Sequence, residues 1–273
     1  MDKQRVLITV KTYPTLSRKY GETVCTAGVR EDGTWVRIYP VPFRRLDEKE
    51  QYSKFHWLDC RLVRNTTDPR PETFRPVDEH ELHPVGHINT ADNWRERRRI
   101  LLKTARVYDR LDDLIAGAKA NQISLAVFKP TRILDFMWEA EDRQWNPDKV
   151  REMREATKQY DLFADNTWRE TFKVIDKLPY SFSYKFEDRA GRQSELQILD
   201  WEAGALYWNC LRSVDGDEPK ALAKIRQKYF GEFLQKNLHF FLGTTQQFHF
   251  VAPNPWVIIG VFPIPHEKQL GLF

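Results

Sequence analysis

Aromatic and cationic side chains are interspersed in the first quarter of the chain, and that combination suits the binding of nucleic acid. Every nucleobase has a face that stacks on a ring, and the phosphate backbone attracts cations. Such a surface would bind DNA or RNA without catalysing a reaction. The residues on which this hypothesis rests are Trp35, Arg37, Tyr39, Arg44, Arg45, Lys54, Trp57 and Arg70. Aromatic residues are also common in the cores of small barrels, so burial of the two indoles is the structural alternative.

Carboxylates and one lysine from the second half of the chain form another candidate site. Nucleases hold Mg²⁺ with paired carboxylates, often beside a lysine. The set consists of Asp135, Glu139, Lys185, Asp200 and Glu202. A metal-dependent nuclease is therefore an alternative function, with Mg²⁺ as its cofactor. A protein without enzymatic activity and without a cofactor is the main hypothesis, because the spacing of these residues matches no known phosphodiesterase pattern.

Other motifs in the chain do not predict a catalytic or metal site. His80, His83 and His87 lie within eight residues, but Pro84 interrupts the helix that would align them, so we expect no metal there. Phosphate-binding GxxxxGK[ST] and GxGxxG loops are absent, as are HExxH and GxSxG. The segment Gly243–Thr245 follows an apolar strand but is too short to predict a phosphate loop.

Composition and charge describe a folded protein with a locally basic start. The 273 residues are 41% hydrophobic and 13% aromatic, which is too apolar for a disordered chain. Residues 1–70 hold 14 basic and 9 acidic residues, against 43 and 39 in the whole chain, so the cationic excess lies in that first part. Three cysteines, no long apolar run and no secretory signal lead us to expect a cytoplasmic protein that does not contact a membrane.

Short strands predict how the first part of the chain positions the basic and aromatic residues. Alternating apolar and polar residues indicate strands over 5–11, 23–29, 34–39 and 55–64, with a tight turn at Asp32-Gly33. Four strands in about 60 residues favour a small β-barrel of OB or SH3 type.

Within the third of these strands the two faces carry different chemistry. Trp35, Arg37 and Tyr39 share one face, whereas Val36 and Ile38 share the other. A barrel with the valine and isoleucine inside would present the aromatic and cationic face to solvent. This orientation is the assumption on which the nucleic-acid hypothesis depends.

Helices and strands are mixed in the remainder of the chain. Apolar residues at helical spacing predict a helix over 93–120. A polar helix is predicted over 148–160 and further helices over 201–211 and 219–236, and Asp200 is placed to cap the helix that starts at 201. Apolar strands are predicted over 123–128, 133–138, 180–186, 195–199, 239–242 and 256–262. The expected fold class is α+β: a small barrel over residues 1–80, then an α+β region over 81–273 with a mixed sheet and about three main helices.

Several sequence segments resemble an uncharacterised bacterial family that is carried on mobile elements. They are Val24-Cys-Thr-Ala-Gly28, Asp32-Gly33 with Trp35–Arg44, Asp68–Glu72, Leu178–Phe186, Asp200-Trp-Glu202, Phe241–Thr244 and Trp256–Phe262. The first 45 residues also resemble the dual OB-containing domains of bacterial conflict systems, which share a V-C-x-A-G … G-x-W-x-R pattern. Relatives carry Cys and His in the hairpin that here reads Glu187–Arg192, so the resemblance implies no zinc site in this chain.

The resemblance implies a nucleic-acid sensor or adaptor in an antiviral defence or DNA-processing system, acting with a protein partner. It implies no reaction, because the family has no assigned active site. A protein–protein interaction module that does not bind nucleic acid remains a third possibility, since the chain has 9 Trp, 10 Tyr and 17 Phe.

Overall fold

Eight strands from the first third of the chain form one curled sheet. The computed structural model describes residues 3–17, 21–46, 48–160 and 174–267. The strands are β1 (Gln4–Lys11), β2 (Thr15–Ser17), β3 (Gly21–Val29), β4 (Trp35–Val41), β5 (His56–Cys60), β6 (Leu62–Arg64), β7 (Thr73–Pro76) and β8 (His83–His87). Seven of them follow the order β6-β7-β4-β3-β1-β5-β8, and β2 pairs with β3.

The sheet curls into a half-barrel because two strands that are adjacent in the chain, β5 and β6, pair near opposite ends of the strand order. Only Arg61 separates β5 from β6, yet β5 pairs with β1 whereas β6 pairs with β7. The inside of this curl is apolar, and the alternation predicted from the sequence is confirmed: Val36 and Ile38 of β4 are fully buried there. Leu58 of β5 is buried in the same cluster.

Seven strands from the rest of the chain form a second, mixed sheet. They are β9 (Val107–Tyr108), β10 (Leu125–Phe128), β11 (Arg132–Ala140), β12 (Tyr180–Glu187), β13 (Gln193–Ile198), β14 (Asn237–Thr244) and β15 (Trp256–Ile264). Their order is β11-β12-β13-β15-β14-β10-β9. The pairs β9–β10 and β13–β15 are parallel, and the other neighbours are antiparallel.

Five α-helices lie within the described residues, where the sequence predicted about three main ones. They are α1 (Ala91–Arg98), α2 (Leu111–Lys119), α3 (Pro147–Tyr160), α4 (Trp201–Arg212) and α5 (Glu218–Arg226). The single helix predicted over 93–120 is wrong, because β9 interrupts it to pair with the sheet edge at β10. Tertiary strand pairing thus outweighs the helical propensity of this segment. None of the described helices has the length and apolar character needed to cross a membrane.

The second sheet is the middle layer of three. One of its faces packs with α2, α4 and α5 around a cluster that includes Phe136, Tyr184 and Phe240. Its other face meets the half-barrel in a cluster that includes Leu7 and Phe241. The α+β class, the curled N-terminal barrel and the mixed sheet are therefore confirmed.

Candidate functional site: the cleft between the two sheets

The aromatic and cationic face of β4 turns toward the second sheet. Trp35, Arg37 and Tyr39 do share a face, as predicted, but the expected exposure of that face is wrong. The ring of Trp35 packs edge-on against Phe241 of β14, with the centroids 6.0 Å apart. Both faces of β4 are therefore covered, one by the barrel interior and the other by β14. An indole in this position contributes to the core by apolar burial.

Arg37 is buried between the two sheets, with 1% of its surface exposed. Its Nη1 donates to the hydroxyls of Thr73 at 3.1 Å and Ser124 at 2.7 Å. Its Nη2 donates to the carbonyls of Ser124 at 3.0 Å and Thr244 at 3.4 Å. All four acceptors are uncharged. Burial, and then the charge of Arg70, lower the pKa of the Arg37 guanidinium to about 10, so it remains charged at neutral pH.

Arg70 supplies a second buried cation beside the first. It pairs with Asp68, whose Oδ1 accepts from Nε at 2.9 Å and whose Oδ2 accepts from Nη2 at 2.5 Å. Its Nη1 donates to the Thr244 carbonyl, the same oxygen that accepts from Arg37. Glu72 lies near as well, because its charge, like that of Asp68, works to raise the pKa of Arg37, so two carboxylates face the two guanidinium groups. The exposure predicted for Arg70 is therefore also wrong, because the side chain is tied to Asp68.

A cleft with a volume of about 390 Å³ opens above these two arginines. This volume lies within the range of small-molecule sites. Both sheets contribute to it, since β3, β4 and the segment 12–15 after β1 form one side and β12, β13 and β15 the other. Aromatic residues line it from several elements: Tyr13, Tyr39, Trp145, Tyr180 and Phe182. Polar residues complete the lining, among them Gln197, Thr245, Gln246 and Cys25.

The hydroxyl of Thr245 is a buried polar group in the lining of this cleft. Its Oγ1 has no hydrogen-bond partner among the described residues. A buried hydroxyl without a partner costs free energy, which a ligand could recover by bonding to it. In the sequence this residue stands out only as part of Gly243–Thr245, a segment that is too short to predict a phosphate loop.

A buried histidine holds the loop that follows β14 at the end of the cleft. His249 is fully buried, and its Nδ1 lies 2.9 Å from Oγ1 of Thr244. Its Nε2 lies 3.0 Å from the side-chain oxygen of Asn121. With Nε2–H donating to that oxygen, Nδ1 accepts from the threonine hydroxyl. Gln246, in the same loop, donates to the carbonyl of Thr67 at 2.9 Å.

Lys54 is buried in a different ionic cluster and is not displayed, contrary to the prediction. Its Nζ donates to Asp200 at 2.7 Å and to Glu202 at 2.9 Å. Burial works to lower the pKa of Lys54, but the charges of these two carboxylates prevail and raise it. Asp200 also accepts from the backbone N–H of Glu202 at 3.1 Å, so the helix cap predicted for α4 is confirmed.

The remaining residues of the predicted nucleic-acid surface do not form a continuous exposed strip. Arg44 pairs with the buried Glu22 at 2.6 Å. Trp57 is partly buried against the cluster between the sheets. The side chain of Arg45 lies outside the described residues. Among the predicted residues whose side chains the structure describes, Arg37, Tyr39 and Arg70 come together at the cleft.

The carboxylates of the nuclease alternative are divided between two places. Asp135 pairs with Arg226 at 2.7 Å and lies opposite Lys185 in the β11–β12 ladder, where Glu139 lies opposite Ser181. Asp200 and Glu202 instead bind Lys54, whose ammonium group takes the place between them that a cation would need. Within the described residues, no group of three or more His, Cys, Asp or Glu side chains is arranged to hold a metal ion.

Two family models match successive parts of the chain. Residues 2–103 match the domain of unknown function DUF8758, and residues 107–273, more than half of the chain, match the domain of unknown function DUF8757. No curated protein matches the chain. A solved chain described as "Structure of murine DNA binding protein bound with ds DNA" is 12% identical over 99% of this chain and 100% of that one, with a TM-score of 0.30. A TM-score this low does not establish a common fold.

Proposed function

We propose that this protein, which belongs to the DUF8757 family, binds nucleic acid by holding one nucleotide unit in the cleft between its two sheets. The observation that carries the proposal is the state of Arg37. It is a buried cation at the base of a cleft, and each of the four acceptors bonded to its guanidinium is neutral. Burying a charge without a bonded counter-ion is unfavourable, so an anionic ligand would be stabilised there.

Arg70 lies at the same point and shares the Thr244 carbonyl with Arg37. Its own charge is offset by Asp68, whereas Arg37 has no carboxylate bonded to it directly, because Glu72 reaches it only through the Ser124 hydroxyl. A phosphate or a carboxylate would fit this requirement equally well.

The aromatic lining favours an anionic ligand that also carries a planar ring. Tyr39 comes from the half-barrel, Tyr13 follows β1, and Trp145 lies just before α3, and all three are partly exposed. Rings of this kind stack on nucleobases with little dependence on base identity. A nucleotide combines both features, and it is the repeating unit of DNA and RNA.

Nucleic-acid binding in the cleft does not require the exposed strip of basic and aromatic residues that the sequence predicted. Binding through one enclosed nucleotide needs few phosphate contacts, so we expect only a shallow dependence of affinity on salt. A role as a sensor or adaptor in a defence system, with a protein partner, stays a prediction from the sequence resemblance.

A charge substitution on β13 tests the proposal without disturbing the core. Gln197 is exposed and lines the cleft, whereas Gln193 is exposed on the same strand outside it. Four residues along a strand span about 13 Å, which exceeds the Debye length of about 10 Å at 0.1 M salt. Gln197→Glu therefore places a negative charge at the cleft, and Gln193→Glu is its matched control.

Fluorescence anisotropy with labelled 12-nucleotide single strands and duplexes of DNA and RNA gives the affinities. We expect Gln197→Glu to weaken binding at least about 5-fold at 0.1 M salt through charge repulsion, with Gln193→Glu unchanged. Unlabelled mononucleotides added as competitors show whether the cleft binds a free nucleotide or one within a strand more tightly. Absence of binding to every oligonucleotide at 50 mM salt, or equal losses in the two variants, would overturn the proposal.

A further inference from the structure

Three exposed apolar side chains lie close together on the loop that leaves β14. Phe248 is 47% exposed, Phe250 is 51% exposed and Val251 is 75% exposed. Large apolar side chains grouped in this way on a surface loop usually mark a binding site. The loop begins with Thr245 and Gln246, which line the cleft, and Phe248 follows two residues later in the chain.

The loop is held in place although its tip is apolar and exposed. His249, between the two phenylalanines, is fully buried and contacts Thr244 and Asn121 through its two ring nitrogens. Its ring also meets the ring of Phe250 edge-on, with the centroids 4.6 Å apart. A turn closes the segment, since Phe248 N–H donates to the Thr245 carbonyl at 3.3 Å. Rings that are held in position lose little freedom when a ligand binds to them.

The chemistry of the loop suits bases rather than phosphates. Residues 245–255 contain no Asp or Glu, so the loop does not repel a polyanion, and no Lys or Arg, so it does not hold phosphates. Exposed phenylalanine rings on such a loop offer stacking faces to bases that are not already stacked in a duplex.

We infer that Phe248 and Phe250 stack on bases that neighbour the nucleotide in the cleft, so that the substrate is an unpaired stretch of nucleic acid. This inference rests on the proposed function and names the substrate class of the same site. It adds the loop after β14 as a second contact, at which the strand continues beyond the cleft.

The cost of opening a duplex favours an unpaired strand. Turning a nucleotide out of a duplex costs free energy that contacts with the phosphates must repay. Many exposed arginines of the described surface are already paired with carboxylates, as in Arg61–Glu81, Arg99–Glu96, Arg143–Glu218, Arg189–Asp109 and Arg192–Asp112. These paired arginines are less free to repay the cost of opening a duplex, and an unpaired strand does not incur it.

The double variant Phe248→Ser/Phe250→Ser tests the inference, and both substitutions are at exposed positions. Val77→Ser/Val85→Ser is the matched control, because these residues are also exposed and apolar but lie on the half-barrel outside the cleft lining. The probes are a labelled 12-nucleotide single strand, the duplex of the same sequence and the mononucleotide AMP. A strand with 2-aminopurine at successive positions reports stacking directly, through quenching of its fluorescence.

We expect the phenylalanine variant to bind the single strand at least about 10-fold more weakly and to lose part of the 2-aminopurine quenching, since two stacking contacts are removed. The affinity of the phenylalanine variant for AMP should not change. The valine control should bind every probe as tightly as wild type does. Wild-type protein should bind the single strand more tightly than the duplex.

Three results would overturn the inference while leaving the proposed function intact. They are an unchanged affinity of the phenylalanine variant for the single strand, an equal loss for AMP, and tighter binding of the duplex by the wild type. The first would be the result if the loop instead docks a protein. Failure of the proposed function is distinguishable, because wild-type protein would then bind none of the probes.

Discussion

Arg37 of β4 binds both polar groups of Ser124, donating to the serine hydroxyl at 2.7 Å and to its carbonyl at 3.0 Å. Ser124 immediately precedes β10, and its hydroxyl in turn donates to Glu72 at 2.5 Å. One side chain of the half-barrel therefore fixes the position of the second sheet. The same guanidinium forms the base of the cleft, so structural and proposed binding roles meet in Arg37.

Replacement of Arg37 should destabilise the fold through this contact. In Arg37→Leu the acceptors on Thr73 and Ser124 lose a charged donor while they stay buried, which should lower the free energy of unfolding by about 3 kcal/mol. Urea unfolding measures the change, and Arg75→Leu, at an exposed position on β7, should stay within about 0.5 kcal/mol of wild type. Equal stability of Arg37→Leu and wild type would contradict this role.

Loss of Lys54 should be costly because it leaves a carboxylate buried without its cation. Asp200 is 2% exposed and is bonded to the lysine at 2.7 Å, so Lys54→Met should cost about 3–5 kcal/mol. Asp200→Asn in the Lys54→Met protein should restore part of that loss, since the amide is neutral and still caps α4. A double-mutant cycle from denaturant unfolding gives the coupling energy, and additive losses would show that the pair does not interact.

His239 should make the protein less stable in acid. Burial lowers its pKa from 6.5 to about 4, so between these values the unfolded chain binds a proton that the folded chain does not. Stability should therefore fall as the pH decreases from 6.5 to 4, and it should change no further below that window through this group. Unfolding free energies of wild type and His239→Gln, measured every half unit, isolate the contribution. A difference between them that does not vary with pH would refute it.

Gly28 should not tolerate a side chain where β1 and β3 pair. A Cβ at this position would lie 2.1 Å from the Leu7 carbonyl oxygen, a backbone atom that cannot move aside. Gly28→Ala should cost more than about 3 kcal/mol by separating the two strands. Gly191→Ala is the comparison, because its φ of +80° is strained for alanine but its surroundings are open, so about 1 kcal/mol is expected. Thermal unfolding shows which variant loses more stability. A larger loss in Gly191→Ala than in Gly28→Ala would count against the observed β1–β3 packing.

Cys25 should report whether the cleft is occupied. It is half-buried and lines the cleft, whereas Cys60 and Cys210 are buried, and burial raises the pKa of the Cys60 thiol to about 12. Native protein should therefore show one fast thiol toward an alkylating reagent, and Cys25→Ser should lose it. At a single-strand concentration ten times the Kd, the fast rate should fall about 10-fold, because only about one site in eleven is then free. An unchanged rate at saturation would place the strand outside the cleft.

Local chemistry was sufficient for much of the fold. The alternation of Val36 and Ile38 with their neighbours predicted β4 and its buried face, and Asp200 predicted the start of α4, because both effects act within a few residues. The break between α1 and α2 could not be predicted in this way. Strand β9 exists only because β10 offers a partner, and that partner is about 20 residues further along the chain.

The sequence by itself determined that Trp35, Arg37 and Tyr39 share a face, because strand geometry alternates side chains with a period of two. Only the tertiary structure decided that this face meets β14 and not water, since that depends on where a second sheet of distant residues packs. Charge pairing was decided in the same way. Lys54 lies next to Asp200 across 146 residues of chain, and no local pattern encodes a contact at that separation.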